Sequence, residues 1–291
     1  LGLEAELRRT AFEPERIEMR FGESGKTIFT IPLKDKAIDR WGAPYLHIHR
    51  ADLISILENA CNTAPNIDVR FNTQLQSVEQ TPTGVTVHLS GGDVDNADLL
   101  VGADGIHSVV QAHIVGPYVP RFTGCIAWRG VVPASKLTMH PPPPTACAWV
   151  GRGKHAVTYY LRGGELVNLV GVIERDDWRE EGWSIEGKKK ELRAEFEGWD
   201  PVIGDIIEQG ESFFRWALFD RPSLRRWVDG RLCVLGDAAH PMLPFVAQGA
   251  VMAMEDAWML KSCLKGSRSI VEALKTYQAR RHARATHVQA L

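Results

Sequence analysis

The sequence predicts an α/β fold with a second, mostly β domain inserted into it. Strand-like and helix-like segments alternate toward both ends of the chain, whereas residues 121–173 carry several strand-like segments in succession. Near the carboxyl end, the apolar strand RLCVLGD stops at an aspartate, and a loop then leads into a helix. Apolar strands that feed helices in this way are typical of the buried sheets of α/β proteins.

Length and composition exclude several classes of protein. A chain of 291 residues is long enough for two modest domains. Its net charge of −2 gives no general attraction to nucleic acid, and it lacks the uninterrupted apolar run of about 18 residues that a membrane span needs. The five cysteines are scattered and form no CxxC pair, which argues against a disulfide framework and favours the reducing cytoplasm.

The first half of the chain alternates short elements of both kinds. A helix is predicted at the start, and a hairpin follows within residues 13–43, where apolar and polar residues alternate around a glycine turn. YLHIHR is predicted as a short strand, and Arg50 to Cys61 as a helix. We expect residues 1–115 to be the first part of the α/β domain, with the hairpin contributed to the inserted domain.

The second half completes this organisation. Residues 116–220 are expected to form the inserted domain, which would include a helix at 187–199 with Leu192, Phe196 and Trp199 facing inward. Residues 221–291 would return to the α/β domain, with a helix from about Gly249 to Leu264. Its small and apolar residues predict the inner face of that helix: Ala250, Ala253, Met254, Ala257 and Leu264.

Residues 231–257 carry the strongest chemical signal. Gly236-Asp237 ends an apolar strand, so a carboxylate is expected at the sheet edge where open α/β folds bind ligands. Gln248-Gly249-Ala250 then opens a helix, whose free N–H groups favour a partly negative ligand atom. A structural alternative is that Asp237 only caps the turn and Gly249 only packs.

Two further segments also fit either a ligand-binding role or a purely structural one. ADLLVGADGIHSVV runs from an apolar strand through Asp104-Gly105 into a helix, which also fits a plain connecting loop. Arg50 stands at the start of the helix in HRADL, where its guanidinium suits a phosphate. The alternative for Arg50 is an exposed side chain in the first turn of a helix.

Histidines and a tyrosine mark the remaining candidates. His155 and Tyr159 lie four apart on a predicted strand, so they point to one face, about 13 Å apart along the strand. They either line a cavity or are buried and satisfied by backbone groups. His47 and His49 also share a face of a predicted strand, but no third metal ligand accompanies them, and we expect no metal site.

Together these motifs resemble those of class A FAD-dependent aromatic monooxygenases, in particular the salicylate hydroxylase-like and 6-hydroxynicotinate 3-monooxygenase-like branch. The string GDAAHPMLPFVAQGA carries most of the resemblance. It implies a Rossmann-like FAD-binding domain with an inserted β-sheet substrate domain. It also implies that Asp237 binds the flavin ribityl hydroxyls, that Pro241 lies beside the isoalloxazine, and that the helix start at 248–250 faces the pyrimidine edge.

The resemblance extends to the other candidates. It implies that Arg50 reaches the FAD phosphate and ribityl region, that Asp104 serves FAD and nicotinamide binding, and that the backbone of Leu75 meets the adenine. Leu243 and Phe245 would shape the pocket from the flavin side. His155 and Tyr159 would meet the aromatic substrate, with His155 taking the phenolic proton. The family pattern continues with Arg where this chain has Gln111.

The function implied is hydroxylation of a small aromatic or heteroaromatic acid, with FAD as cofactor, NADH or NADPH as co-substrate, and O₂ as oxidant. The protein would act in the cytoplasm as a monomer or homodimer, without nucleic acid or membrane partners. The alternatives are a homologue that binds ligands without stable FAD and without catalysis, and a flavin monooxygenase of larger polycyclic substrates.

Family members open with a strand, a GxGxxG turn and a helix, and the sequence contains no such pattern. We therefore expect that at least one βαβ unit, roughly 30 residues or more, precedes the first residue in the family pattern. An omitted segment, renumbering of an incomplete chain and a truncated gene all explain this difference.

Overall fold

A computed structural model describes residues 1–175, 177, 182 and 185–290. The chain divides into two compact units. Unit 1 comprises Leu1–Val69 and Gly124–Leu218, and unit 2 comprises Arg70–Thr123 and Phe219–Leu291. The divisions after Thr123 and Leu218 lie near the boundaries expected after residues 115 and 220. The division after Val69 was not expected, because it places residues 1–69, and not only the hairpin of residues 13–43, with the strands of residues 124–218. The function of each segment stays a prediction.

The elements are as follows. The strands are β1 Arg16–Phe21, β2 Thr27–Pro32, β3 Leu75–Gln80, β4 Val85–Leu89, β5 Val94–Ala97, β6 Leu100–Gly102, β7 Arg121–Pro133, β8 Ala146–Gly151, β9 Lys154–Leu161, β10 Leu166–Glu174, β11 Glu186–Gly187, β12 Phe213–Asp220, β13 Val228–Asp229 and β14 Leu232–Val234. The helices are α1 Glu4–Thr10, α2 Asp35–Trp41, α3 Arg50–Thr63, α4 Val109–Val115, α5 Lys189–Glu195, α6 Pro201–Gln209, α7 Gly249–Gly266 and α8 Ile270–Gln289.

Unit 1 is built on one large sheet. In the described part of the chain its strand order is β11-β12-β7-β10-β9-β8-β1-β2. The predicted hairpin is present, because β1 and β2 pair in antiparallel fashion at one edge of this sheet. Strand β1 also pairs with β8 in parallel, which joins the hairpin to the strands of residues 121–174.

One face of this sheet carries the apolar core of unit 1. Trp128, Trp149 and Phe196 are completely or almost completely buried there. The inward orientation predicted for Leu192, Phe196 and Trp199 is confirmed, although α5 itself ends at Glu195. The rings lie directly on the backbone, since a Cβ added at Gly171 would come within 2.9 Å of the Phe196 ring. Glycine is therefore needed at that position for the helices to dock.

Unit 2 contains the short parallel pair β6 and β14, extended by β13, and a separate antiparallel sheet of β3, β4 and β5. Helices α4, α7 and α8 supply residues to the same apolar core as these strands, including Val110, Leu260 and Leu274. Neither α7, α8 nor any other helix among the described residues has the length and apolar character needed to cross a bilayer.

Two local predictions are wrong. YLHIHR is not a strand, because only His47 forms a bridge, with Phe12, and no ladder of pairs extends it. The buried residues of α7 are Met252, Asp256, Leu260 and Cys263, not the predicted inner face. Ala250, Met254 and Ala257 of the predicted face are exposed, whereas Ala253 and Leu264 are half-buried and Leu264 packs against the core of unit 2. The apolar pattern passes over Asp256, which is buried beside Met252 and Leu260 because His240 and Arg281 form hydrogen bonds to it.

The core of unit 1 generates a stability prediction. Phe196→Ala should reduce the free energy of unfolding by about 3 to 5 kcal/mol, since it removes a fully buried ring and leaves a cavity. Phe29→Ala, at an exposed position on β2, should cost about 1 kcal/mol or less. Denaturant unfolding followed by tryptophan fluorescence measures both, and equal losses would contradict the packing described here.

Candidate functional site

The turn that follows β14 presents a carboxylate. Gly236 has a φ of 58°, a left-handed conformation that favours glycine, and opens a short 3₁₀ turn of residues 236–238. Gly236, Ala238, Ala239 and His240 are buried, whereas Asp237 between them is exposed. The turn therefore directs the Asp237 carboxylate outward from a rigid base.

The N-terminus of α7 lies close to this carboxylate. A Cβ added at Gly249 would lie 3.9 Å from Asp237 Oδ1 and 3.7 Å from Met242 Cγ. Gln248 is the N-cap residue, and among the described residues no side chain caps the helix there. The first N–H groups of this 18-residue helix therefore lie next to the Asp237 carboxylate, and a helix N-terminus of this kind favours a negatively polarised ligand atom.

The residues between the turn and the helix occupy different environments. Pro241 is buried, and its carbonyl accepts a hydrogen bond of 3.0 Å from Gln289 Nε2. Leu243 is half-buried, while Phe245 and Ala250 are exposed. Ala247 has a φ of 51°, so the chain bends sharply just before the helix begins.

A buried ionic cluster lies beneath the turn. The Asp256 carboxylate accepts hydrogen bonds from the Gly236 N–H at 3.0 Å, His240 Nε2 at 2.5 Å and Arg281 Nε at 2.8 Å. Burial alone raises the pKa of Asp256, but the hydrogen bonds from His240, the Gly236 N–H and Arg281 hold it below its ordinary value. The sequence pattern does not single out Asp256 or Arg281. The available signal is the acidic pair Glu255-Asp256 within the otherwise apolar stretch of residues 249–260.

Asp104 has a defined structural role. Its carboxylate accepts hydrogen bonds from Ser108 Oγ at 2.5 Å and from the Val109 N–H at 2.8 Å, which caps the start of α4. Gln111, where the family pattern has Arg, is buried and accepts a hydrogen bond of 2.6 Å from Arg221 Nη1. The cofactor role of Asp104 stays a prediction beside this capping role.

Leu75 and Arg50 lie in different units. Leu75 begins β3 in unit 2 and packs against the apolar core there. Arg50 is exposed at the first position of α3 in unit 1, where burial and the charge of Arg50 lower the pKa of Arg129. The start of α3 is fixed by Asp52, which accepts two hydrogen bonds, of 2.7 and 2.8 Å, from Arg162.

His155 and Tyr159 share one face of β9. The core-facing residues of this strand are Ala156 and Thr158, so the alternation of β9 places both candidates on the opposite face. Burial lowers the pKa of His155, which favours the neutral imidazole. Burial, with a smaller contribution from Tyr45, raises the pKa of Tyr159, which keeps its hydroxyl protonated.

Two more polar residues accompany Tyr159. The His47 ring lies 4.8 Å from the Tyr159 ring, and burial lowers the pKa of His47 to about 4. Asn168 is directly opposite Tyr159 in the antiparallel pair of β9 and β10, is 8% exposed, and has a buried Nδ2 without a hydrogen-bond partner among the described residues. Both add hydrogen-bonding groups to this face, and neither was singled out for a substrate role by the sequence pattern.

The described residues contain no group of three or more histidine, cysteine and acidic side chains that could hold a metal ion. The predicted site residues instead form two sets. Arg50, His155 and Tyr159 lie in unit 1. The others lie in unit 2: Leu75, Asp104, Asp237, Pro241, Leu243, Phe245, Gln248, Gly249 and Ala250.

Comparison with known families gives the class of protein. A family model described as an FAD binding domain matches residues 1–290. The chain therefore belongs to this family of FAD-binding proteins, which confirms the predicted cofactor FAD and the predicted α/β flavoprotein fold. The outward Asp237 carboxylate and the uncapped start of α7 fit the hydroxyl groups and the electron-rich edge of such a cofactor.

Two relatives show which kind of FAD-binding protein this chain resembles. The chain is 38% identical to the 3-amino-4-hydroxybenzoate 2-monooxygenase PtmB3 of Streptomyces platensis over 91% of its own length and 66% of that protein. It is 35% identical to the 6-hydroxynicotinate 3-monooxygenase of Pseudomonas fluorescens over 99% of its own length and 75% of that protein. The predicted resemblance to aromatic monooxygenases is confirmed.

Solved structures agree with this assignment. Klebsiella pneumoniae HpxO, crystallised with FAD and uric acid, superposes with a TM-score of 0.87 at 26% identity, covering 99% of this chain and 73% of HpxO. A salicylate hydroxylase in complex with its substrate shares the fold, with a TM-score of 0.84 at 24% identity and coverage of 99% and 75%.

The buried His47 generates a prediction about pH. Its pKa is about 4 in the folded protein against 6.5 for an ordinary histidine, so the unfolded chain binds more protons between these values. The contribution of neutral, buried His47 to the free energy of unfolding is complete above pH 6.5 and is lost as the pH falls toward 4. His47→Phe keeps a ring beside Tyr159 and should therefore reduce the drop in melting temperature between pH 7 and pH 5. An unchanged drop would show that His47 does not titrate as described.

Proposed function

We propose that this protein is an NAD(P)H- and O₂-dependent flavin monooxygenase that hydroxylates a small aromatic or heteroaromatic acid of the hydroxybenzoate or hydroxynicotinate type. The observation that carries the proposal is the exposed Asp237 carboxylate beside the uncapped N-terminus of α7, in a chain whose relatives are named as monooxygenases of such acids. The chain spans 66% and 75% of the length of those two relatives, so activity and substrate are proposed for the whole protein.

In this proposal FAD supplies the redox and oxygen-transfer chemistry, and the protein supplies binding, orientation and proton handling. Asp237 accepts hydrogen bonds from the ribityl hydroxyls. The first N–H groups of α7, at Gly249 and Ala250 after Gln248, stabilise negative charge at the pyrimidine edge of the flavin. Pro241, Leu243 and Phe245 would shape the surroundings of the ring.

The remaining predicted contacts support the same cofactor. Arg50 suits a phosphate because its exposed guanidinium offers several donors. Leu75 is proposed to contact the adenine through its backbone. Asp104 is proposed to act through the loop that it holds, since part of its carboxylate already caps α4.

Substrate handling is assigned to the polar face of β9. A neutral His155 is suited to accept the proton of a phenol, because burial disfavours its charged form. A protonated Tyr159 is suited to donate a hydrogen bond to the substrate oxygen, because burial raises its pKa. Deprotonation of the phenol makes the ring more electron-rich, which is what electrophilic hydroxylation requires.

A reducing compartment is part of the proposal. Cys61, Cys147, Cys233 and Cys263 are free cysteines, and burial raises the pKa values of Cys147 and Cys233 to about 12. Protonated, buried thiols are poor nucleophiles and poor metal ligands. We therefore propose a cytoplasmic enzyme with a small aromatic substrate, O₂ and NADH or NADPH as its reaction partners.

Asp237→Ala should weaken FAD binding by about tenfold to a hundredfold, because it removes charge-assisted hydrogen bonds worth about 1.5 to 3 kcal/mol. Quenching of flavin fluorescence on titration of the FAD-free protein gives the dissociation constant. Asp93→Ala is the matched control, since Asp93 is an exposed carboxylate in the same unit and follows the turn after β4. An unchanged dissociation constant in Asp237→Ala would refute the ribityl role.

His155→Ala should slow hydroxylation by about a hundredfold and leave flavin reduction by NAD(P)H within about threefold of wild type, as expected for loss of a general base. Stopped-flow absorbance separates the two half-reactions with a panel of hydroxylated benzoates and nicotinates. His140→Ala, at an exposed position of unit 1, is the control. Equal losses in both half-reactions would identify His155 as a structural residue.

The visible absorption spectrum of the purified protein tests the proposal as a whole. Flavin bands and substrate-dependent oxidation of NAD(P)H are expected. A protein that stays colourless after FAD is added would instead support the alternative of a ligand-binding homologue without catalysis. Turnover confined to polycyclic substrates would replace the proposed substrate class.

A further inference from the structure

The buried Asp256 connects three separate segments of unit 2. Its Oδ2 accepts from the Gly236 N–H and from His240 Nε2, both in the turn after β14, and its Oδ1 accepts from Arg281 on α8. Asp256 itself belongs to α7 and is 0% exposed. One carboxylate therefore ties the turn, α7 and α8 together.

Ion pairs between α7 and α8 extend this cluster. Arg281 also donates to Glu255 at 2.6 Å, and Arg284 donates to Glu255 through two hydrogen bonds of 2.7 Å. Two acidic side chains of α7, Glu255 and Asp256, thus face two basic side chains of α8, Arg281 and Arg284. A buried carboxylate surrounded by charged and neutral donors has few alternative geometries, because any movement leaves a charge without a partner.

The cluster is geometrically coupled to the proposed flavin contacts. Gly236, whose N–H is held by Asp256, immediately precedes Asp237. Gly249 lies seven residues before Asp256, or about two helical turns, and therefore on the same side of α7. The turn spans this stretch of the helix: a Cβ added at Gly236 would lie 3.1 Å from Ala253 Cβ, and one added at Gly249 would lie 3.9 Å from Asp237 Oδ1.

We propose that Asp256, oriented by His240 and Arg281, is a positioning residue for FAD: it fixes the distance between the Asp237 carboxylate and the N-terminus of α7. These two groups lie on different segments, and FAD must meet both at once. The inference rests on the proposed function, since it assigns to this cluster the placement of two groups that bind the cofactor. Preorganised binding groups gain affinity because less freedom is lost on binding.

The test compares Asp256→Asn with Tyr277→Phe in the complete native polypeptide. Tyr277 is equally buried in unit 2 and donates a hydrogen bond of 3.1 Å to the Val234 carbonyl, on the strand that leads to the same turn. Both variants should lower the melting temperature of the FAD-free protein. We expect Asp256→Asn to weaken FAD binding, measured by quenching of flavin fluorescence, by at least about tenfold, and Tyr277→Phe to change it by less than about twofold.

If Asp256→Asn does not fold, a second pair of variants tests the role of His240. His240→Gln keeps an N–H donor that can reach Asp256, and we expect it to retain FAD affinity within about threefold. His240→Ala removes the donor and should weaken FAD binding about tenfold. Two outcomes would overturn the inference. In the first, FAD affinity changes across the variants only in proportion to melting temperature. In the second, FAD affinity stays at the wild-type value in Asp256→Asn or His240→Ala. Wild-type protein that does not bind FAD would overturn the proposed function as well.

Discussion

The burial of one carboxylate, Asp256, is the constraint on which the carboxyl-terminal part of the molecule depends. An unpaired carboxylate in an apolar interior costs many kcal/mol, so the fold must deliver donors to it from elsewhere in the chain. His240 and the Gly236 N–H come from the turn 16 and 20 residues earlier, and Arg281 comes from α8, 25 residues later. Their convergence ties the turn after β14, α7 and α8 to one another at a single buried carboxylate.

In unit 1 a single strand serves both the core and the proposed chemistry. Alternate residues of β9 point to opposite faces, so Thr158 meets the buried Trp149 indole nitrogen while Tyr159 points away from it. The core side is dense enough that ring carbons lie against glycine backbone at Gly171. This dense side of the sheet is a rigid backing for β9, and therefore for the proposed proton-handling residues His155 and Tyr159.

The sequence predicts elements well where the determining contacts are local. The β1–β2 hairpin, α3 and the extent of α7 follow from alternation, helical periodicity and glycine positions. Prediction from the sequence fails where a contact with a residue distant in the chain determines the local structure. The stretch around His47 has strand composition but a single bridge partner. The buried face of α7 includes Asp256, whose partners His240 and Arg281 lie elsewhere in the chain. Asp237 was predicted as a site residue from its motif, whereas the buried Asp256 beneath it was not predicted.

The departure at Gln111 illustrates why a motif residue is best interpreted with its three-dimensional neighbours. The family pattern has an arginine at this position. This chain has an amide there, on α4, and so lacks that positive charge at position 111. The structure instead brings Arg221, 110 positions later, into contact with Gln111 and with the Ile106 carbonyl of the same loop. Tyr118 covers the Arg221 guanidinium at 5.1 Å, and burial lowers the pKa of Arg221. The Gln111 amide therefore belongs to a buried contact that links α4 and the loop before it to Arg221, a residue that the motif itself does not contain.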